Sequence, residues 1–361
     1  MSHHVETVEI LPLRVPLRRP FQIASARLDQ VQNLAVAVGL DCGAVGIGEI
    51  ATLFPVTADR YESALEAADA LADWLRDQVF EDWTLLLRAL RTHETARPAI
   101  SAGFEMALTE AMSVHHEQPL HQFFGAAKAP VWTDMTIPIC SPVTCRELAD
   151  TYRTRGFTTL KLKVGLDLRT DLDAIEALRR GHPTCRIVAD ANEGFTLQEA
   201  HQFLDALQTR GLRLDLFEQP LERENLEGLR ELRNRGDTTI AADESCRNPE
   251  DARRLAETQC VDVLNIKLAK SGVLGALAIH EIAQTHRLGL MIGGMIETRI
   301  GMGFAAHLAR GLGGFEWIDL DTPQLLKSDP VIGGAYAVGP EWRFDDSGFG
   351  LGLTLPNLDL F

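Results

Sequence analysis

The sequence predicts an α/β protein: a TIM-like parallel barrel of eight strands, (β/α)7β, preceded by an N-terminal α+β domain. Three observations carry this. Five short apolar, β-branched-rich runs each hold a lysine or a carboxylate near their end: Thr159-Leu-Lys-Leu-Lys163-Val, Ile187-Val-Ala-Asp190, Leu214-Asp-Leu-Phe-Glu218-Gln-Pro, Ile240-Ala-Ala-Asp243-Glu and Val261-Asp-Val-Leu-Asn-Ile-Lys267-Leu. From Lys163 the steps to Asp190, Glu218, Asp243 and Lys267 are 27, 28, 25 and 24 residues, the chain needed for one strand, one helix and their loops. Before residue 125 the pattern is different, with alternating strands and then helices.

In that first part, residues 5–18, 31–41 and 44–50 alternate apolar and polar positions and are separated by Arg19-Pro20 and Asp41-Cys-Gly43. This reads as a three-strand antiparallel meander. Helical spacing follows over Asp59–Val79, Trp83–Arg91 and Pro98–Glu117, where Phe104, Ala107, Leu108 and Ala111 share a face. Residues 1–125 therefore form the α+β domain, with Gly125–Pro130 as linker. From Val131 strands and helices alternate strictly, with strands beginning near 132, 159, 186, 214, 239, 261, 289 and 315. The barrel spans 131–325, and the Gly- and Pro-rich tail 326–361 is expected to return to the N-terminal domain. Gly46-Ile-Gly48-Glu49 lies inside the meander and opens no helix, so it is not a nucleotide loop. Gly293-Gly294, after the seventh strand, is expected to let the backbone approach a ligand.

Composition narrows the partners. The 361 residues are 45% hydrophobic and 24% charged, enough for two cores. A formal charge of −16 argues against nucleic acid and anionic membranes. No apolar run is long enough to span a bilayer, and no secretory signal pattern opens the chain, so a cytoplasmic protein is expected. The six cysteines lack CxxC spacing and read as free thiols, and the eleven histidines form no paired-ligand motif. His3-His4 carries no role in this reading.

The strand positions dictate a site. Lys161 and Lys163 are two apart and share a face, about 6–7 Å from one another, while Leu160 and Leu162 face the helix layer. Second and sixth strands of an eight-strand ring are opposed, so Lys163 and Lys267 face each other across the mouth. Asp190, Glu218 and Asp243 occupy the arc between them. Converging carboxylates repel unless a cation sits among them, and all-oxygen ligation suits Mg2+, with Mn2+ also acceptable. Such an ion, flanked by two lysines, fits removal of a proton α to a carboxylate and its return on the other face. Lys161 adds positive charge beside Lys163. Any one of the acidic residues alone reads more readily as a helix cap or a solvated strand end. Lys267, interrupting a buried run, and Glu218, closing an apolar strand, do not.

With these residues in view the chain resembles the enolase superfamily, muconate-lactonising subgroup. The resemblance rests on Lys161-Leu-Lys163, Asp190-Ala-Asn, Glu218-Gln-Pro, Asp243-Glu-Ser and Asn265-Ile-Lys267-Leu, and runs from the Gly46-Ile-Gly48-Glu49 motif of a capping domain to the eighth strand. It implies metal-assisted α-proton abstraction, with Asp190, Glu218 and Asp243 as ligands and Lys163 and Lys267 as the acid/base pair. It leaves the overall reaction open. Trp317-Ile-Asp319-Leu-Asp321-Thr is similar to the motif of dipeptide epimerases, whose paired aspartates hold a substrate ammonium. The expected function is therefore Mg2+-dependent epimerisation of dipeptides at the C-terminal residue, in a homo-oligomer. The alternatives are an N-acyl amino acid racemase, a muconate-type cycloisomerase or o-succinylbenzoate synthase, and a non-catalytic carboxylate-binding scaffold. Residues expected to set specificity are Arg27, adjacent to the usual arginine position at Ala26 or Leu28, and Ile296, Thr298 and Arg299 after the seventh strand. An acidic and an apolar C-terminal residue both remain open.

Overall fold

The computed structural model describes residues 2–356 except 23–26, 55, 56, 58, 94 and 126, and leaves the side chains of residues 21, 22 and 27 undescribed. The chain opens with strands β1 (His3–Gln22), β2 (Arg27–Leu40) and β3 (Val45–Ile50), then helix α1 (Tyr61–Leu75), strand β4 (Val79–Phe80) and helices α2 (Trp83–Arg91), α3 (Pro98–His115) and α4 (Leu120–Phe124). The sheet order is β3-β2-β1-β4. The meander is as expected, but β4 is not. Helix α1 stops at Leu75 because Asp77 turns left-handed (φ 69°) and Val5 and Gln78 bond backbone to backbone, which draws the chain into a strand beside His3 and His4.

Helix α3 is buried on nearly every face, because it lies between this sheet and the barrel. The glycines of Gly46-Ile-Gly48 permit that packing: a Cβ on Gly48 would stand 1.9 Å from the carbonyl oxygen of Gly103, and one on Gly46 2.0 Å from that of Ala107. Only residues without a side chain let helix and strand backbones approach so closely.

The barrel strands are β5 (Met135–Ile137), β6 (Thr159–Lys163), β7 (Arg186–Asp190), β8 (Leu216–Glu218), β9 (Thr239–Ala242), β10 (Val263–Lys267), β11 (Gly289–Gly293) and β12 (Phe315–Asp319). They form one parallel sheet in sequential order. The seam between β12 and β5 is bridged by Asp134 N–H donating to Ile318 O (2.8 Å) and Leu320 N–H to Thr133 Oγ1 (2.8 Å). The intervening helices are α5 (Pro142–Thr154), α6 (Leu168–Gly181), α7 (Leu197–Thr209), α8 (Leu226–Arg235), α9 (Pro249–Thr258), α10 (Leu268–His286) and α11 (Arg299–Leu312). Local signals set their starts: Thr196 and Glu199 form a reciprocal capping box on α7, and Asp167, Asn225 and Asn248 cap α6, α8 and α9. Val188, Leu216, Ala241, Val263, Met291 and Trp317 form a closed cluster inside the ring. Most lie two residues before a candidate site residue. Since side chains alternate along a strand, the apolar plug below forces Asp190, Glu218, Asp243 and Asp319 into the mouth above it.

The capping domain grips the barrel through buried glutamates. Glu49 accepts hydrogen bonds from Thr298 N–H (3.0 Å), Gly301 N–H (3.0 Å), Thr298 Oγ1 (2.7 Å) and Asn33 Nδ2 (2.7 Å), so it plugs the N-terminus of α11. Glu105 does the same within α10, where the backbone breaks at Gly272 (φ 66°): it accepts from Val273 N–H (2.7 Å), Leu274 N–H (3.2 Å) and Arg91 Nη1 (2.8 Å). A carboxylate at a helix N-terminus meets unpaired N–H groups and the positive end of the helix dipole.

After β12 comes a 3-10 turn, Thr322–Leu325, and then four short strands: β13 (Ile332–Gly333), β14 (Tyr336–Val338), β15 (Glu341–Arg343) and β16 (Leu353–Thr354). This tail touches both parts of the molecule. Trp342 N–H bonds to Val131 O (2.9 Å) at the barrel's start, and Leu351 N–H to Glu110 Oε1 (2.9 Å) on α3. Arg299, expected to reach a substrate, is committed here instead. Its guanidinium pairs with Asp329 and donates to the carbonyls of Gly333 (2.6 Å), Val331 (2.9 Å) and Ala335 (3.2 Å).

Two variants test these attachments. Glu49→Ala strands several buried donors and is expected to cost about 2–4 kcal/mol, seen as a fall in Tm of several degrees in a thermal melt. Arg299→Ala should loosen the tail, read as faster proteolytic cleavage after Lys327, while leaving any preference between acidic and apolar substrates unchanged. A changed preference would return Arg299 to the site.

Candidate active site

The mouth of the barrel is a buried charge cluster. Asp190 and Glu218 end adjacent strands, Asp243 directly follows the next, and the three are 0%, 0% and 3% exposed. Asp190 and Glu218 are direct cross-strand partners. Lys163 Nζ lies 2.6 Å from Asp190 Oδ2, and Lys161 Nζ lies 2.9 Å from the same oxygen, 2.8 Å from Glu218 Oε2 and 2.6 Å from Asp319 Oδ2. On the opposite wall Lys267 Nζ sits 2.8 Å from Asp243 Oδ2. A Cβ on Gly293 would stand 3.3 Å from both Lys267 Cε and Asn265 Oδ1, so this glycine makes room for the lysine and the asparagine.

Supporting groups hold these side chains in place, and several were not singled out from the sequence. Gln219, fully buried with φ 36°, accepts from Asp243 N–H (2.9 Å) and Ser245 N–H (3.0 Å) and donates to Leu221 O and Ser245 Oγ (both 2.8 Å). It thereby shapes the loop that carries Asp243. Asn265 Nδ2 donates to Glu218 Oε1 (2.9 Å), and Lys270 Nζ reaches Asp243 Oδ1 (2.5 Å). Lys270 follows Lys267 by three residues at the start of α10, and that i,i+3 spacing was its one available signal.

The charges shift one another. Burial raises the carboxyl of Asp190, but Lys161 and Lys163 outweigh it and hold the group below the usual carboxylate range. The same opposition, with Lys267 and Lys270, holds Asp243 low. Glu218 goes the other way: burial, and then the Asp190 charge, push it up to about 7. Burial pulls Lys161 and Lys267 down, yet the surrounding carboxylates prevail and both stay raised above an ordinary lysine.

The donor set fits a hard divalent cation. Three carboxylates stand at the ends of the neighbouring strands β7, β8 and β9, and lysine ammonium groups lie against them as cations. Glu218 Oε2, although 2.8 Å from Lys161 Nζ, is outside hydrogen-bonding geometry and keeps no hydrogen-bond partner, and buried Asn265 Oδ1 keeps none either. Unsatisfied buried oxygens of this kind are what a metal ion satisfies.

Across the mouth a second acidic group stands on the β12–β5 seam. Asp319 is held by Lys161, and Asp321 Oδ2 accepts from Thr136 N–H (2.6 Å). Asp134, missed in the sequence, joins them: ligand oxygens of Asp134, Asp319 and Asp321 lie within 4.8 Å of one another. Burial and then the Asp319 charge push Asp321 up to about 7 and raise Asp134 as well. Of the expected specificity residues, Ile296 packs in an apolar cluster with Val15, Leu17, Val31 and Leu53 of the capping domain. Thr298 is spent on Glu49 and on capping α11. The side chain of Arg27 lies outside the described residues. A cavity of about 360 Å3 beside Arg213, Asp215 and Asp262 is at the other end of the strands, remote from this chemistry.

Comparison with known proteins agrees with this architecture. Residues 144–357 match the model of the enolase C-terminal domain-like family, and residues 5–125 that of the mandelate racemase/muconate lactonizing enzyme N-terminal domain. The chain is 45% identical over 351 residues to an L-Ala-D/L-amino acid epimerase of Populus trichocarpa, covering 95% of this chain and 83% of that protein. It is 35% identical to an aromatic dipeptide epimerase of Herpetosiphon aurantiacus, covering 98% of this chain and 100% of that one. A crystal structure of the Enterococcus faecalis dipeptide epimerase, complexed with Mg and the dipeptide L-Leu-L-Tyr, superposes with a TM-score of 0.92 at 30% identity, over 97% of this chain and 99% of that one. The chain thus belongs to the mandelate racemase/muconate lactonizing enzyme family, with an enolase-type barrel.

Proposed function

We propose that the protein is a Mg2+-dependent dipeptide epimerase that inverts the α-carbon of the C-terminal residue. The observation that carries this reading is the division of the mouth into two acidic groups. Asp190, Glu218 and Asp243 lie between the opposed lysines on β6 and β10, and Asp319 and Asp321 lie on the far seam. A dipeptide zwitterion, negative at one end and positive at the other, matches that division. The relatives named as dipeptide epimerases support it.

In this reading Asp190, Glu218 and Asp243 hold the ion, and Asp319 and Asp321 receive the substrate ammonium. A magnesium ion held there supplies positive charge to the substrate carboxylate, where the electrons of the broken C–H bond accumulate. One lysine of the pair Lys163 and Lys267, as the free amine that a cation bound by the neighbouring carboxylates would favour, removes the α-proton from its own face. The C–H electron pair moves into the carboxylate to give an enediolate. The other lysine, as ammonium, returns a proton to the opposite face. The atoms balance and the centre is inverted. Lys161, protonated and buried against Asp190 and Glu218, adds positive charge at the carboxylate end. The capping domain, anchored through Glu49, excludes water from this step.

The test is incubation of a pooled L,L-dipeptide library with protein and Mg2+ in D2O, read by mass spectrometry. One deuterium in the C-terminal residue is expected, and none with metal bound would end the proposal. Uptake confined to Xaa-Glu would assign Arg27 to the side-chain carboxylate, and uptake with apolar residues would release it. Lys163→Ala and Lys267→Ala should each slow epimerisation roughly 10²–10⁴-fold. Each variant should still exchange the α-hydrogen of the one epimer its remaining lysine faces. Glu218→Gln should weaken Mg2+ binding at least about tenfold by calorimetry, and chelation should stop exchange until Mg2+ is restored.

A further inference from the structure

We infer that Asp134 is a third arm of the ammonium site, so that the enzyme selects substrates with a primary, unmodified amino terminus. The inference rests on the function proposed above and names the substrate class more closely. Asp134 is 3% exposed and its Oδ1 has no hydrogen-bond partner; Asp321, 0% exposed, likewise keeps Oδ1 unpartnered. Two unpartnered, buried carboxylate oxygens in one cluster with Asp319 lack a donor. Burying such groups is tolerated when a charged partner completes them.

The geometry describes the partner. Three acceptors placed tetrahedrally around an ammonium nitrogen at about 2.8 Å stand about 4.6 Å apart. The oxygens with which Asp134, Asp319 and Asp321 meet are no more than 4.8 Å apart, a limit that admits such separations. Asp134 is fixed in this place by the barrel's closure. Its own N–H bonds to Ile318 O, and Thr133 Oγ1 accepts from Leu320 N–H, so residues 133 and 134 bracket Asp319 on the neighbouring strand. Thr136, two residues on, holds Asp321 through its backbone N–H.

A primary ammonium offers one N–H to each carboxylate. An N-methyl ammonium keeps the charge but offers two, and an N-acyl group offers one N–H and no charge, leaving three buried carboxylates with Lys161 as near cation. Discrimination between these amines is therefore built into the number of arms, and Asp134 is the arm that separates primary from secondary ammonium.

The experiment measures initial rates of α-deuterium incorporation in L-Ala-L-Leu and L-Ala-L-Glu and in their N-methyl-alanyl and N-acetyl-alanyl counterparts, with wild-type enzyme and D134N, both checked by thermal melt. For the wild type, KM should be at least about tenfold lower for the free amine than for the N-methyl form. D134N should raise the free-amine KM roughly 10–100-fold, as loss of one charge-assisted hydrogen bond implies, with kcat within about threefold. Its ratio between free and N-methyl amine should fall towards one. If wild type prefers N-acetyl substrates, the dipeptide reading itself falls. If wild type turns over the free amines and D134N discriminates as wild type does, whether or not kcat drops, only the role of Asp134 is overturned. A second Mg2+ per chain, lost in D134N, would overturn it too and make the cluster a metal site.

Discussion

The arrangement at the barrel mouth hangs on one ammonium group, that of Lys161. It is 1% exposed and contacts Asp190, Glu218 and Asp319 at once. A buried lysine is sustained only by carboxylates close enough to offset its lost hydration. The same contacts join the two acidic groups, so Asp190 and Glu218 on one side and Asp319 on the other form one electrostatic unit. Neither can change its charge without acting on the other through this single side chain.

What places the charges is apolar. Inside the ring the cluster from Val188 to Trp317 fills the barrel below the mouth, and strand alternation then puts the next inward side chain of β7, β8 and β12 into the open end. Arg186 lies over the Trp317 ring, 3.6 Å from its centre, and closes the plug at its base. The mouth is in turn flanked by a domain attached both by apolar packing, of Val15, Leu17 and Val31 against Met295 and Ile296, and by buried carboxylates. Glu49 and Glu105 serve helix N-termini that would otherwise keep unpaired N–H groups in a buried interface. The glycines of β3 let α3 lie flat enough to deliver Glu105.

Much of this was legible beforehand because it is periodic. A β-strand turns its side chains with a period of two and a βα unit repeats at a nearly constant length, so Lys163, Asp190, Glu218, Asp243 and Lys267 announce themselves by position. Asp319 closes β12 in the same alternation, whereas Asp321 lies past the strand and was picked out with it by similarity to the dipeptide epimerase motif. The specificity residues do not announce themselves, because loops have no period. Thr298 and Arg299 follow the seventh strand, where substrate-facing residues are expected, yet the glutamate of another domain claims one and the returning tail the other. Asp134 lay in Trp132-Thr-Asp134-Met, ahead of the residues that form β5, and nothing local separates it from a strand-edge carboxylate.

By itself the sequence determined the strand order, the phase of each strand and hence the set of side chains that face the barrel axis, since these depend on alternation and spacing along the chain. Only the tertiary structure decided which of those groups touch: Lys161 with Asp319 across 158 residues, Asp134 with the seam of β12, Lys270 with Asp243, and Arg299 with the tail. The reason is physical. Alternation is a property of the backbone and is written locally, whereas the partner of a buried charge is fixed by ring closure and domain docking, which bring together residues that share no local pattern.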